Sequence, residues 1–298
     1  MTAFVPEGAL LWTAENKTLT SSLAGLQSAM EGGILLEARA KLCDREKGLI
    51  FDLGGVSGVM PYEETALVSE GETIRDIAVL TRVGKPCAFQ VTRIETENGA
   101  PVAFLSRKKA QERCLAEYLD LLREGDILPA RVTHFEPFGA FCDIGCGVIS
   151  LLPIDQISVS RISHPSDRFF VGEEIYCAVR RRDEVKLGSR GRIALTHKEL
   201  LGTWQENADR FEIGQTVVGL VRSIESYGIF IELAPNLAGL CEYRDGVERG
   251  QAASVFIKNI LPEKRKVKLV LIDTFPAERG QIPTRYFRTE GNISDFEY

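Results

Sequence analysis

Short runs in which apolar residues alternate with polar or small ones dominate the middle of the chain. Ile127-Leu128-Pro129-Ala130-Arg131-Val132-Thr133 and Ala140-Phe141-Cys142-Asp143-Ile144 have the period of half-buried strands, with turn signals at Glu136-Pro137 and Gly145-Cys146-Gly147. Glu174-Ile175-Tyr176-Cys177-Ala178-Val179-Arg180 and Arg192-Ile193-Ala194-Leu195-Thr196 complete the set. Five short strands in about 75 residues, these four runs among them, with one longer connection over 158–172, predict a small closed Greek-key barrel. Helical spacing of three and four occupies 107–119, 197–211 and 19–30, the last ended by Gly32-Gly33. The segment 274–298 has no clear period and reads as extended or partly disordered.

The barrel pattern is repeated. At a constant offset of 89 residues, Gly125 falls on Gly214, Phe138-Gly139-Ala140-Phe141 on Tyr227-Gly228-Ile229-Phe230, Asp143-Ile144 on Glu232-Leu233, and Leu151 on Leu240. A weaker copy lies 91 residues upstream, where Lys47 to Gly54 align with Phe138 to Gly145. The organisation predicted is an N-terminal helical segment (1–30), a degenerate barrel (31–107), a helical linker (108–123), a second barrel (124–198), another helical linker (199–211), a third barrel (212–273) and a tail (274–298). The fold class is all-β.

Gly125-Asp126-Ile127, then Phe138-Gly139-Ala140-Phe141-Cys142-Asp143-Ile144-Gly145, then Arg192-Ile193-Ala194-Leu195-Thr196 resembles the RNA-binding domain first described in bacterial ribosomal protein S1. The pattern combines a turn, two aromatics and a distant basic strand in order. The resemblance spans nearly the whole chain as three tandem copies, strong in the second, fair in the third and poor in the first. It implies three five-stranded OB-fold barrels of the S1 type joined by short helical linkers, a single-stranded RNA ligand, most readily mRNA, and a role in translation. A contact between the first barrel and the small ribosomal subunit belongs to the same expectation.

The residues support that chemistry on their own terms. Phe138 at a strand entrance and Phe141 within the strand can present two rings on one face, and a stacked base gains roughly 1–3 kcal/mol whatever its identity. Burial of both rings in a core is the competing reading, since most Phe side chains are buried. Arg131, Arg180 and Arg182 supply cations, with Arg181, Lys186 and Arg190 nearby; strand alternation lets only some share the aromatic face. By resemblance, Asp183 and Arg192 take the family's acidic and basic positions beside the bases. The third copy offers Tyr227, Phe230 and Lys266, with Lys258, Lys264, Arg265 and Lys268 close by. The family often has a His where this chain has Pro153 and Glu242. In the first copy Lys47 and Ile50 stand at the aromatic positions and Val102 near the basic one, so that barrel is expected to serve packing or protein contact.

Composition adds limits. The chain has 298 residues, 44% hydrophobic and 26% charged, the proportions of an ordinary globular protein of two or three domains. No run approaches the roughly 18 apolar residues of a membrane span, and residues 1–17 lack a basic start followed by an apolar run, so a cytoplasmic protein is expected. The seven cysteines are scattered and odd in number, which predicts reduced thiols. Cys142, Cys146, Cys177, His134 and His164 could be imagined around zinc, but no second Cys pair follows, and no metal or cofactor is expected. Gly145-x-Gly147 precedes a strand rather than a helix and reads as a hairpin turn. His134, His164 and His197 lack a nucleophile motif, and Asp52, Asp143 and Glu232 recur with the fold, so no enzyme is expected. A protein-interaction scaffold, or an RNA-binding accessory subunit of a processing complex, is the alternative.

The net charge of −6 argues against a nucleic-acid partner only until it is divided. Residues 168–198 hold 8 basic and 4 acidic side chains, against 2 and 6 in 124–167. The expectation is a cationic half of the second barrel.

Overall fold

A computed structural model describes residues 4–69, 71–182, 193–277, 284–294 and 296. The first unit begins with helices α1 (Ala14–Thr20) and α2 (Leu23–Glu31). The single helix expected over 19–30 is divided because Ser22 adopts extended backbone and caps α2, its side chain accepting from the Gly25 amide. Strands β1 (Leu36–Arg39), β2 (Leu42–Cys43), β3 (Leu49–Leu53), β4 (Val56–Met60), β5 (Pro86–Glu97) and β6 (Ala100–Ser106) follow, with helix α3 (Asp76–Leu80) between β4 and β5. Their order is β1-β5-β6-β4-β3-β2, a six-stranded ladder rather than the closed five-stranded barrel expected. The reason is local. The first strand is broken at Ala40 and Lys41: Ala40 still bonds toward β5 through Lys85 O, whereas the Lys41 amide turns to Ile50 O of β3 at 2.7 Å. The sheet's two edges are therefore consecutive pieces of one strand, and chain continuity closes what the ladder leaves open. Leu49, Phe51, Met60 and Phe89 fill the interior.

Helix α4 (Arg107–Glu117) leads to the second unit, in which β7 (Ile127–Glu136), β8 (Gly139–Asp143), β9 (Ile149–Pro153), β10 (Glu174–Arg182) and β11 (Ile193–Thr196) form a closed barrel in the order β10-β11-β9-β8-β7. Alternation fixes the faces: Leu128, Ala130 and Val132 of β7 are buried while Pro129, Arg131 and Thr133 are not. The parallel pairing of β9 with β11 closes the cylinder. Beyond it the expected helix over 197–211 is interrupted at Gly202, whose φ of +81° suits glycine; a 3-10 turn (Lys198–Leu201) precedes it and α5 (Trp204–Ala208) follows, capped by a reciprocal Thr203–Glu206 box. The third unit, β12 (Thr216–Glu225), β13 (Gly228–Ala234), β14 (Leu237–Cys241), β15 (Ala252–Leu261) and β16 (Lys266–Phe275), closes with the same topology, β12-β13-β14-β16-β15.

Buried charges join the units. Glu7, in the segment before α1, receives Arg107 of α4 at 2.6 and 3.0 Å and Arg82 of the first unit at 2.7 Å, while its amide donates to Asp143 of β8 at 2.8 Å. Burial pushes the Glu7 carboxyl up, but the two guanidinium groups outweigh it and hold the group below its ordinary value. Asp143 also accepts the amides of Gly145 and Gly147; burial, with the neighbouring Glu7 charge, pushes it up to about 6. Between the second and third units, Glu232 of β13 binds Arg168 and Arg222, and the Pro235-Asn236 turn bonds to Ser160, Val159, Lys198 and Gly202.

The described part of the tail lies along the second barrel. The Tyr286 hydroxyl shares a 2.9 Å hydrogen bond with His197 Nε2 and accepts from the Tyr176 amide, and Asn292 bonds to Asp126.

Candidate nucleic-acid interface

Strand register sets the aromatic face of the second barrel. His134 of β7 lies opposite Phe141 of β8, Phe141 opposite Leu151 of β9, and Leu151 opposite Ala194 of β11, which makes one row across four strands. Ala140 and Cys142 are completely buried, so alternation turns Phe141 outward between them. Phe138 stands in the turn just before β8, 55% exposed, with its ring 6.1 Å from that of Phe141 at 81°. The intervening glycine is required by a close approach: a Cβ on Gly139 would lie 2.5 Å from Leu152 O of the neighbouring strand. Core burial of both rings, the competing expectation, does not occur.

The third barrel reproduces the arrangement. Tyr227 is 68% exposed and its ring lies 6.2 Å from that of Phe230 at 88°. A Cβ on Gly228 would again meet a strand carbonyl at 2.5 Å, that of Cys241. The recurring aromatic-Gly pair thus has a steric cause: the ring occupies the corner and the glycine lets two strands pass. The row here is Ser223, Phe230, Leu240 and Lys268.

Two row members escaped the sequence reading. His134 stacks on Phe141 with centroids 4.4 Å apart and planes 5° from parallel, enlarging the aromatic surface. Its counterpart Ser223 carries no ring, so the repeat gave no signal for it. Lys268, noted in the sequence only as a neighbour of Lys266, occupies the row itself. Lys266 lies two residues earlier, opposite Leu261, and Lys258 and Lys264 are exposed on the β15–β16 hairpin and its 3-10 turn.

The arginines are more dispersed. Arg131 forms an ion pair with Glu174, and Arg182 one with Asp120 while also bonding that residue's carbonyl. Arg180 is exposed on β10. Arg168, counted among the basic residues of 168–198, is buried in the joint to the third barrel. Asp183 and Arg192, with Lys186 and Arg190, lie outside the described residues. Among the described residues, then, the cationic half of the second barrel is thinner than its composition, because charges counted along the chain are spent on other parts of the protein.

In the first unit, Lys47 at an aromatic position pairs with Asp76 at 2.6 Å, and the Tyr62 hydroxyl bonds the same carboxylate. Ile50 is half-buried opposite Val59, and Val102 is buried opposite Ser57. Pro153 of β9 faces Gly139, and Glu242 is exposed just after β14.

The residues weighed for metal binding do not gather at one place, although Cys142 and Cys177 meet inside the barrel. Cys142 and Cys177 belong to the barrel interior, Cys146 packs in the same core beside Cys114, and His134 is exposed. His164 caps the 3-10 turn Pro165–Asp167. His197 is completely buried; burial, with the positive charge of Arg168 adding, pulls its pKa down to about 4 against the Ile157 carbonyl, so the ring is neutral. All seven cysteines are free thiols. Among the described residues no helix is long and apolar enough to cross a membrane.

Residues 121–198 match the family described as S1 RNA binding domain. Over 240 residues the chain is 32% identical to the small ribosomal subunit protein bS1 of Leuconostoc lactis, covering 78% of this chain and 51% of that protein. It is 27% identical over 288 residues to bS1 of Staphylococcus aureus, covering 91% and 70%. With the 43% covered of bS1 from Rhizobium meliloti, the chain spans about half the length of the first two of these relatives that it matches. A crystal structure of a multidomain protein with nucleic acid binding domains from Streptococcus pneumoniae aligns over 80% of this chain and 73% of that one, at 14% identity and a TM-score of 0.25.

Proposed function

We propose that this S1-like chain of tandem OB-type barrels binds single-stranded RNA on the aromatic faces of its second and third barrels and acts in translation. The observation that carries the reading is the pair Phe138 and Phe141, held edge to face with one ring more than half exposed, and its repetition by Tyr227 and Phe230 in the same geometry. Exposed aromatic rings at matching strand positions suit bases of any identity, each stack contributing roughly 1–3 kcal/mol. Lys266, Lys268, Lys258 and Lys264 supply phosphate contacts to the third barrel, and Arg180, Arg192 and Asp183 are the polar partners of the second. Messenger RNA is the natural ligand under this reading, and the bS1 relatives carry the name of a small ribosomal subunit protein. Residues 31–107, 124–198 and 212–273 are the barrel units; the first carries no ring pair and contacts protein, the small ribosomal subunit being the partner. The chain binds without turnover.

The decisive experiment is Phe138→Ala combined with Phe141→Ala, read by fluorescence anisotropy with a labelled oligouridylate and by circular dichroism for the fold. A loss of roughly 2–4 kcal/mol is expected if both rings stack. Unchanged affinity with the fold intact removes the site.

A second reading, a protein-interaction scaffold, draws on Val218, Phe256, Val270 and Ile272, exposed on the third barrel. Salt separates the two. About three phosphate contacts give a log–log slope near −2 for a single strand.

A further inference from the structure

The aromatic row of the second barrel does not end at open solvent. It runs into a cleft of about 810 Å3 whose other walls belong to α4 and to residues 65–67 and 74–82 of the first unit. Phe141, Leu151 and Ala194, three of the four row residues, line it; Leu67, Ile74 and Ala78 face them from the first unit. We propose that the cleft is a nucleobase subsite, in which the first barrel supplies the second wall of the RNA site without using its own strand face. This rests on the RNA-binding reading above.

The chemistry favours a base over a phosphate or a charged group. The polar side chains that reach the cleft are committed to the protein. Gln111 donates to Gly147 O and accepts the Leu67 amide, and Arg107 and Arg82 are held by Glu7. What remains is largely aliphatic, a surface that receives the flat face of a base irrespective of its edge. Continuity chooses the occupant. A strand stacked on Phe138 and Phe141 that continues past Leu151 enters the cleft without leaving the barrel, so successive nucleotides of one RNA reach both places. The degenerate first unit then has a binding role that its sequence conceals: Lys47 and Ile50 cannot stack bases, but the segment between β4 and β5 can enclose one.

Ala78 lies on α3 at an exposed position of the cleft wall opposite the row, so Ala78→Trp crowds the subsite from the side of the first unit and replaces no row residue. Anisotropy titrations with oligouridylates of about four and about ten nucleotides read the effect separately on the row and on the row plus cleft. Ala78→Trp is expected to weaken the longer oligomer about tenfold and leave the shorter unchanged, since one stacked base is lost. The Phe138→Ala, Phe141→Ala variant weakens both. In the unmodified protein, 4-thiouridine placed along the longer oligomer is expected to crosslink to the peptide 65–82. Equal binding of the longer oligomer by Ala78→Trp and the unmodified chain, or crosslinks confined to the second and third barrels, overturns the proposal while leaving the aromatic site standing. Failure of the unmodified protein to bind either oligomer overturns both.

Discussion

Arg168 of the second barrel and Glu232 of the third meet at 2.6 Å with neither side chain exposed, and Arg222 reaches the other carboxylate oxygen. A buried carboxylate between two guanidinium groups stands or falls as a set: removing the acid leaves two buried cations facing each other. Glu232→Gln should therefore destabilise the chain by about 3–5 kcal/mol, measured by denaturant unfolding. A change under about 1 kcal/mol would mean that the pair merely accompanies the packing of the Pro235-Asn236 turn.

Lys268 extends the aromatic row of the third barrel where the second has Ala194. Lys268→Ala should weaken RNA binding and reduce the magnitude of the salt slope by about 0.7, the share of one phosphate on a single strand. Titration of the isolated variant at several salt concentrations reads both; a weaker complex with an unchanged slope would assign Lys268 to packing rather than phosphate.

Glu37 accepts the amides of Gly8, Leu10 and Leu11, yet burial, with the Glu7 charge adding, pushes its carboxyl up from 4.5 to about 7. The folded chain then holds this proton more tightly than the unfolded one. Its contribution to stability is complete below pH 4.5 and is lost as the pH rises to about 7. Glu37→Gln keeps an acceptor for the amides and should flatten the decline, gaining on the order of 1–3 kcal/mol over the unmodified chain at pH 8. Asp143, raised to about 6, leaves a residual slope of the same sign. Parallel stability curves for variant and parent would refute this account.

Gly147 has φ +76°, and a Cβ there would lie 1.8 Å from Arg107 Nη2. Gly147→Ala should cost more than about 2 kcal/mol, since it combines an unfavourable backbone with displacement of a buried guanidinium from Glu7. Thermal unfolding checks it, and a neutral result would show that the joint between the first and second units tolerates rearrangement.

Much of this was legible in the residues because the barrels repeat. Phe138, Gly139 and Phe141 against Tyr227, Gly228 and Phe230 fixed both the strand and the outward rings, and the structure adds the steric reason for the glycine. Elements whose ends depend on single backbone positions were less readable. The break at Ser21-Ser22, the turn at Gly202 and the split strand at Ala40-Lys41 interrupt patterns that periodicity alone would continue. The fate of the charges was hidden for a different reason: Arg131, Arg168 and Arg182 are drawn to acids 43, 64 and 62 positions away, and composition has no record of partners. His134 was passed over because its meaning lies across the strand, on Phe141.

The acid that recurs once per barrel performs three unlike tasks. Asp52 sits exposed near Lys41, Asp143 grips the segment ahead of α1, and Glu232 locks the third barrel to the second. The barrels share a plan but are not interchangeable parts: a rearranged chain with the second and third exchanged would retain every strand and lose both couplings. Serial order is written into this protein at one repeated position, and the spacing of its aromatic faces is inherited from that order.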